Sequence, residues 1–334
     1  MPKFLFLCLF IFLLTCPTET RAQAEEEIPL ISLHMPDTLH KQRFWVSASA
    51  GAVIYGGFSV ALWNSWYRNY ELSPFHFFDD RGEWENMDKV GHAFTAYNEA
   101  RWLFNGARWT GMQRRKSTWT AAVIAFGLQG TIEVMDGFSD KWGFSVPDVA
   151  MNTAGIALFV GQEYLWEEQR LIMKVSSQRV DYPDARIYSR DGAEFVTHQE
   201  RADNLYGTTF AQRYLKDYNG QTLWLSANIH SFLPNRKTSK FPEWLNVAVG
   251  YGAENMYAGY GYAFSDDDGN NYVADRTLYP RYNQGYLSLD IDFTRIPTKK
   301  RWLQTVFGVI NFIKVPLPAL EYSKPYGFKF HAFR

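Results

Sequence analysis

Hydrophobic and polar positions follow a helical spacing in the first half of the chain. Residues 44–67 form the longest uncharged run after residue 25. Residues 88–105, 118–136 and 146–172 follow it, and each is long enough for a helix and apolar along part of its length. The connections between the four stretches are short, which predicts sequential and mostly antiparallel packing. The pattern therefore indicates a bundle of about four helices.

The spacing changes to a period of two after residue 203. Leu287, Leu289 and Ile291 alternate with Ser288 and Asp290, and two earlier segments alternate in the same way. This pattern is typical of half-buried antiparallel strands. Strands of outer-membrane barrels also alternate, but such barrels have at least ~8 strands, and fewer are recognisable here. We therefore predict an antiparallel β-rich region and leave its closure into a barrel open.

The two patterns together predict an α+β fold. A further amphipathic helix is indicated over 300–313, before Pro316. The charged stretch between the two halves has no clear period, so we place a linker there. The predicted organisation is a signal peptide over 1–24, a lead-in over 25–43, a helical domain over 44–172, a linker over 173–203 and a β-rich domain over 204–334.

The uncharged run at 44–67 admits two interpretations. It is long enough to cross a bilayer, which takes ~20 residues, and Trp45, Trp63 and Trp66 lie where interfacial aromatic residues occur. Its small residues would also let another helix approach closely. The alternative is a helix buried in the core of a soluble bundle. The sequence leaves both open, so the helical domain is described as membrane-compatible.

The first residues predict export. Lys3 precedes an apolar stretch, 4–14, that is too short to span a bilayer, and an A-x-A cleavage site ends at Ala24. We therefore expect the mature chain to begin at Glu25 and to lie in the periplasm or at the outer membrane, with the inner membrane as the alternative. Both cysteines precede this site, so the mature chain would form no disulfide. Lipidation at Cys16 is a second interpretation, because the residues ending there loosely resemble a lipobox.

Composition narrows the classes of partner. The formal net charge is -1, so there is no strong electrostatic case for nucleic acid. Aromatic residues make up 17% of the chain, and aromatic side chains favour membrane interfaces and β-rich surfaces. A well-filled soluble core is the alternative explanation. The expected partner is a membrane lipid, an envelope glycan or an envelope protein, and the oligomeric state stays open.

Three of the predicted helices each carry a pair of polar side chains, three or four residues apart. The six residues are Asp88, His92, Glu133, Asp136, Asp148 and Asn152. Side chains spaced in this way share a helix face, so packing of the helices would bring the pairs together. Four carboxylates cannot all stay ionised in a dry pocket unless a cation neutralises them, and a histidine beside them can relay protons. These six residues are the predicted polar cluster.

Members of the polar cluster also have purely structural interpretations. Asp88 fits the first turn of a helix, and Ser145 with Asp148 forms a helix-start signature. Lys89 and nearby arginines can neutralise the acids as ion pairs. The sequence contains no H-E-x-x-H motif, nucleophile elbow, P-loop or Rossmann fingerprint. We predict no cofactor, and a divalent cation such as Ca²⁺ or Mg²⁺ is the ligand that the oxygen donors would suit.

Four short motifs occur in a fixed order over about a quarter of the chain. They are Asp88-Lys89-Val90-Gly91-His92-Ala93-Phe94, Glu133 to Asp136, Gly143-Phe144-Ser145, and Asp148 to Asn152 with Gly155. This stretch resembles the VanZ-like group and the small YfiM-type periplasmic lipoproteins, and the β-rich half is similar to longer Bacteroidetes-type homologues. The resemblance implies an envelope location and supplies no activity. The predicted signal peptide and the β-rich half depart from the VanZ-like pattern, which puts a simple four-span inner-membrane topology in doubt.

Two classes of function fit these observations. The first is a non-enzymatic envelope protein with a binding or structural role at a membrane, favoured by the aromatic content and by the missing catalytic signatures. The second is a membrane-proximal enzyme acting on a lipid or cell-wall precursor. There His92 would act as general acid or base, while Glu133, Asp136 and Asp148 would bind a cation or share the proton. Asp88 and Asn152 would complete the ligand set.

Overall fold

The computed structural model describes residues 29–30, 32–68, 71–266 and 268–334. The predicted signal peptide, its cleavage site and Cys16 lie outside the described residues. The chain divides into two compact units. The first comprises the residues up to Asp79 together with Thr95–Glu168, and the second comprises Asp80–Phe94 together with Gln169–Arg334.

Four long helices confirm the helical pattern of the first half. They are α1 Lys41–Leu62, α2 Met87–Trp109, α3 Arg114–Gly137 and α4 Val146–Leu165. The first turns of α2 belong to the second unit, and the rest of the helix belongs to the first. A π-helical turn at Trp63–Tyr67 follows α1.

Two helix ends differ from the sequence prediction. The predicted connector 106–117 is mostly helical, because only a tight turn separates α2 from α3, and Gly111 in that turn has a φ of +84°. A side chain at Gly111 would also meet the backbone oxygen of Thr38, so the turn requires glycine. Helix α4 ends at Leu165 rather than at residue 172, because the chain turns at Glu167, whose φ is +53°.

Helix α1 is, among the described residues, the one helix long and apolar enough to cross a membrane. It has 22 residues, and none of its most apolar window is buried. Val53, Ile54 and Phe58 are each more than half exposed. A core helix of a soluble bundle would be mostly buried, so the structure disfavours that interpretation of the uncharged run.

The first turn of α1 is held by a buried arginine. Arg43 is fully buried, and its guanidinium donates to the carbonyl oxygens of Pro29, Ser32, His34 and Trp109 over 2.6–3.2 Å. The guanidinium also lies 4.6 Å from the centroid of the Trp109 ring. These contacts fix part of the predicted lead-in to the helices of the first unit.

The second unit is built on antiparallel strands. Six strands form the main sheet: β1 Leu171–Ser177, β4 Gln221–Asn228, β5 Leu245–Glu254, β8 Tyr282–Ile291, β9 Ala319–Ser323 and β10 Gly327–His331. The two short hairpins are β2 Arg186–Tyr188 with β3 Phe195–Thr197, and β6 Ala263–Ser265 with β7 Asn271–Val273. The longer helices of this unit are α5 His198–Tyr206, α6 Phe210–Lys216 and α7 Arg301–Ile310. The predicted α+β fold class is confirmed.

The six strands pair in the order β1-β4-β5-β8-β9-β10. The outer edge of β1 is also covered: the Val175 amide donates to the Phe312 carbonyl at 2.8 Å, and the Lys314 amide donates to the Val175 carbonyl at 2.9 Å. Residues 312–314 therefore lie along β1 just before the chain enters β9. Strands β1 and β10 do not pair with each other in the described part of the chain.

Residues 173–203, predicted as a linker, are folded. They contain most of β1, both β2 and β3, and the first part of α5. Helix α5 begins with a capping box in which the side chains of Thr197 and Glu200 each bond the other's backbone amide. Strands of three residues are too short for a period of two to show in the sequence. The predicted domain limits themselves stay a prediction.

The packed face of the six-stranded sheet is polar. Lys174 in β1 and Asp290 in β8 are fully buried, and Lys174 Nζ lies 2.8 Å from Asp290 Oδ2. The Ser226 hydroxyl donates to the same carboxylate at 2.6 Å. Strands β4 and β5 separate the two partners, and the register places Lys174 opposite Tyr286, four residues from Asp290. In a flat sheet the two residues would be ~19 Å apart. The ion pair therefore requires a strongly curled sheet with its polar side inward.

Candidate functional site

The predicted polar cluster divides between the two compact units. The six residues fall into a second-unit pair, Asp88 and His92, and a first-unit set, Glu133, Asp136, Asp148 and Asn152. The convergence of all six into one site stays a prediction.

Three members of the first-unit set, Glu133, Asp148 and Asn152, occupy the buried stripes of two packed helices, whereas Asp136 is only partly buried. On α3, Gln129 and Glu133 continue a stripe of buried alanines, and on α4, Asp148 and Asn152 lie one turn apart. These four residues of the two stripes (Gln129, Glu133, Asp148 and Asn152) are each at least nine-tenths buried. The Asn152 Nδ2 donates to Glu133 Oε1 at 3.5 Å, the upper limit for a hydrogen bond. The structure therefore joins Glu133 and Asn152, and it places Asp148 on the same stripe of α4 as Asn152.

The start of α4 explains the position of Asp148. The Ser145 hydroxyl accepts a hydrogen bond from the Asp148 amide at 3.1 Å, and Pro147 lies in the first turn. This is the helix-start signature recognised in the sequence, and it is confirmed. The carboxylate of Asp148 also lies where the positive end of the helix dipole favours a negative charge. Helix capping thus accounts for the place of Asp148 without requiring a ligand.

Asp136 has a partner that the sequence did not reveal. The Tyr67 hydroxyl donates to Asp136 Oδ1 at 2.6 Å. Burial raises the pKa of Tyr67 well above its usual value, and the charges of Asp136 and Glu133 add to that shift. Tyr67 therefore stays a protonated donor at neutral pH and holds the Asp136 carboxylate in place. Its position at the end of the uncharged run gave no signal of this role.

The second-unit pair lies in the first turns of α2. The His92 Nε2 lies 3.7 Å from Asp88 Oδ1, so the two side chains share a helix face as predicted. Lys89 Nζ lies 2.9 Å from Asp88 Oδ2 and 2.6 Å from Asp80 Oδ2. The Tyr218 hydroxyl donates to Asp88 Oδ1 at 3.0 Å. The ion pairing of Lys89 expected from the sequence is confirmed, whereas Asp80 and Tyr218 were not anticipated.

This arrangement determines what Asp88 and His92 can do. The Lys89 side chain is buried and supplies the positive charge that Asp88 and Asp80 need. The His92 side chain is about one-fifth exposed, so its ring can reach solvent. A partly exposed histidine beside a carboxylate is suited to accept and return a proton. The pair can therefore serve acid–base chemistry, although the same contacts also anchor the N-terminal end of α2.

The donors that would suit a cation are all oxygens. In the first unit they come from Glu133, Asp136, Asp148 and Asn152, and hard cations such as Ca²⁺ and Mg²⁺ prefer such ligands. Asp136 already accepts the Tyr67 hydroxyl, and Glu133 accepts the Asn152 amide. These two hydrogen bonds offset part of the cost of burying the carboxylates. Binding of a divalent cation stays a prediction.

Comparison with known proteins supports the envelope location. Residues 76–161 match a family model described as "Predicted periplasmic lipoprotein (DUF2279)", and this range contains the whole predicted polar cluster. No curated protein and no solved structure matches the chain. The matched segment covers about a quarter of the chain and is similar to envelope proteins of unknown function. The protein is therefore an exported protein of the periplasm or outer membrane.

Proposed function

We propose that the protein is a non-enzymatic cell-envelope protein that is held at a lipid bilayer through α1, within the VanZ-like and YfiM-type group that its motifs resemble. The observation that carries the proposal is the exposure of α1. A helix of 22 residues is ~33 Å long, which matches the ~30 Å hydrocarbon core of a bilayer. None of its most apolar window is buried by the other residues that the structure describes.

Details of α1 support a lipid or helix partner. Val53, Ile54 and Phe58 project from the helix, and a Cβ added at Gly56 or Gly57 would meet nothing within 4 Å. Water-exposed apolar surface of this extent marks a membrane or protein interaction site. Small residues on the same helix would also allow close approach of a second membrane helix.

The test is membrane fractionation of the full chain. Val53→Glu with Phe58→Glu places two charges within the apolar part of α1, and a charged side chain costs ~2.5–3.5 kcal/mol at the centre of a membrane helix. The expected result is release of the variant into the soluble fraction after an alkaline wash. Leu165→Glu, at an exposed apolar position at the end of α4, is the matched control and should stay with the membranes. Retention of the double variant would contradict the proposal.

A second candidate function rests on the Asp88–His92 pair. There the histidine would act as general acid or base on a lipid or cell-wall precursor, and Glu133 would bind a cation or share the proton. His92→Ala and Glu133→Ala separate this function from a structural role. Loss of precursor turnover in envelope extracts with unchanged thermal stability would support an enzyme. Unfolding of both variants would exclude the catalytic role.

A further inference from the structure

The six-stranded sheet has inverted polarity. In β8, Ser288 and Asp290 are buried, whereas Leu287 and Leu289 are 51% and 47% exposed. An antiparallel sheet in a soluble protein places its apolar side chains against the core and its polar side chains in water. Here the alternation is intact, but the apolar side faces outward.

The exposed apolar side chains form a continuous stripe across four strands. Leu287 in β8 lies opposite Val249 in β5 and Leu320 in β9, and Leu320 lies opposite Phe330 in β10. All four side chains are exposed. Three strand spacings make this stripe ~14 Å wide. Tyr322 and Phe328 extend it along the next row of the β9–β10 hairpin.

The outer face carries no charge in these four strands. The outward positions that this face leaves open are Leu245, Val247, Val249, Asn283, Gly285, Leu287, Leu289, Ile291, Leu320, Tyr322, Phe328 and Phe330. At the end of β5, Tyr251 and Ala253 are instead packed in one hydrophobic cluster with Met87. A water-facing sheet normally carries charged side chains at such positions, and a protein interface surrounds its apolar centre with polar groups. An uncharged face rich in Leu, Val and Phe matches the interior of a bilayer instead.

Helix α7 adds charge complementarity to an anionic surface. The basic triplet Lys299-Lys300-Arg301 lies at its N-terminal end, and residues 296–313 contain no acidic residue. Trp302, Val306 and Val309 are exposed and lie four and three residues apart, so they share one helix face. A short helix with an apolar face, an interfacial tryptophan and a basic end is suited to lie in the headgroup layer of an anionic membrane.

Helix α7 and the sheet belong to one folded unit. Phe307 in α7 stacks against Phe293, just after β8, with ring centroids 5.9 Å apart. Residues 312–314, which follow α7, pair with β1. The C-terminal part of the helix is therefore fixed to the sheet.

We infer that the second unit binds the surface of an anionic lipid bilayer through α7 and the outer face of β5, β8, β9 and β10. The apolar side chains enter the acyl boundary, and the basic triplet contacts the lipid headgroups. This inference extends the proposed membrane role to a second surface, and it rests on residues other than those of α1.

Single-cysteine labelling tests the two surfaces separately in the full chain. Cys8 and Cys16 are replaced by serine, and an environment-sensitive fluorophore is attached to Leu287→Cys, Val309→Cys or Phe58→Cys. Each labelled protein is mixed with phosphatidylcholine vesicles that contain phosphatidylglycerol and a spin-labelled quencher lipid. Leu278→Cys is the matched control, because Leu278 is an exposed leucine of the same unit outside the proposed surface.

The expected result is severalfold stronger quenching at positions 287 and 309 than at position 278. Quenching at position 58 alone would overturn this inference and leave the proposed role of α1 intact. Quenching at 287 and 309 without quenching at 58 would support the inference and contradict the role of α1. No quenching at any of the three positions would overturn both.

A separate variant tests whether the basic triplet is required for binding. Lys299→Gln with Lys300→Gln should weaken binding to phosphatidylglycerol vesicles about thirtyfold, because each of the two basic residues contributes ~1 kcal/mol near an anionic surface. Binding to pure phosphatidylcholine should change little. Equal binding of wild type and variant to both kinds of vesicle would overturn the anionic part of the inference.

Discussion

Gly250 in β5 offers a direct test of the packed polar face. An alanine Cβ at this position would lie 2.6 Å from Trp224 Cε3 and 2.7 Å from its Cζ3. The indole is held in place, because its Nε1 donates to the Ser176 hydroxyl at 2.9 Å and the Lys314 ammonium lies 4.5 Å from the ring. Tyr286 packs on it with ring centroids 5.6 Å apart. The ring therefore has little room to retreat.

The expected loss follows from two opposing effects. Overpacking a filled core costs ~1–3 kcal/mol, whereas replacing a strand glycine by alanine stabilises by ~0.5–1 kcal/mol through backbone entropy. Gly285 in β8 provides the matched control, because its Cβ would point to the outer face with the nearest atom, the Tyr322 carbonyl oxygen, 3.9 Å away. Both substitutions share the entropy gain. The difference between Gly250→Ala and Gly285→Ala should therefore equal the overpacking cost of ~1–3 kcal/mol.

Hydrogen exchange measured by mass spectrometry is the suitable assay, because it reports local unfolding of one unit within the full chain. Peptides covering β4 and β5 should lose protection in Gly250→Ala and keep or gain it in Gly285→Ala. Equal protection in the two variants would refute the packing of Trp224 over Gly250. Greater loss in Gly285→Ala would show that the opposite face is the packed one.

Three further predictions test buried charges. Lys89→Met should destabilise the second unit by ~3–5 kcal/mol in urea unfolding, because Asp80 and Asp88 lose their buried cation; adding Asp80→Asn should recover part of this loss, and no loss at all would contradict the ion pairing. Arg43→Met should expose the lead-in to limited proteolysis, because four backbone carbonyls lose their donor; an unchanged cleavage pattern would argue against this anchor. Burial lowers the pKa of Lys314 from 10.5 to about 8, so the penalty for its charge is present below pH 8 and fades as the pH rises toward 10.5. Wild type should therefore gain more stability than Lys314→Met across that window, and equal gains would refute the shift.

Helix positions could be predicted from the sequence because their signals are local. The uncharged run identified α1, and Ser145 with Asp148 identified the start of α4. A period of two identified β5 and β8 equally well. The period does not tell which side of a strand is packed, because both faces repeat every second residue. Three-dimensional pairing was needed to show that Asp290, and not Leu289, faces the interior.

Part of the polar cluster could also be predicted from the sequence, because its signals are local too. The shared helix face of Asp88 and His92 follows from their spacing of four, and Lys89 is adjacent in sequence. Tyr67 and Tyr218 could not be predicted, because each reaches its carboxylate from a segment far away in the chain. Long-range contacts of this kind leave no periodic trace in a single sequence.

Inverted polarity occurs in the first unit as well as in the second. On α3, Gln129 and Glu133 are buried, whereas Trp119, Val123 and Phe126 are about half exposed along one face. In water such an arrangement lowers the stability of the folded state for two reasons: buried polar groups must all be paired, and apolar side chains stay hydrated. Contact with a bilayer would remove the second cost and would stabilise the fold, because a ligand that binds only the folded state stabilises it. The proposed membrane attachment would therefore bury apolar surface of both units, and this argument holds whether the polar cluster serves catalysis or structure alone.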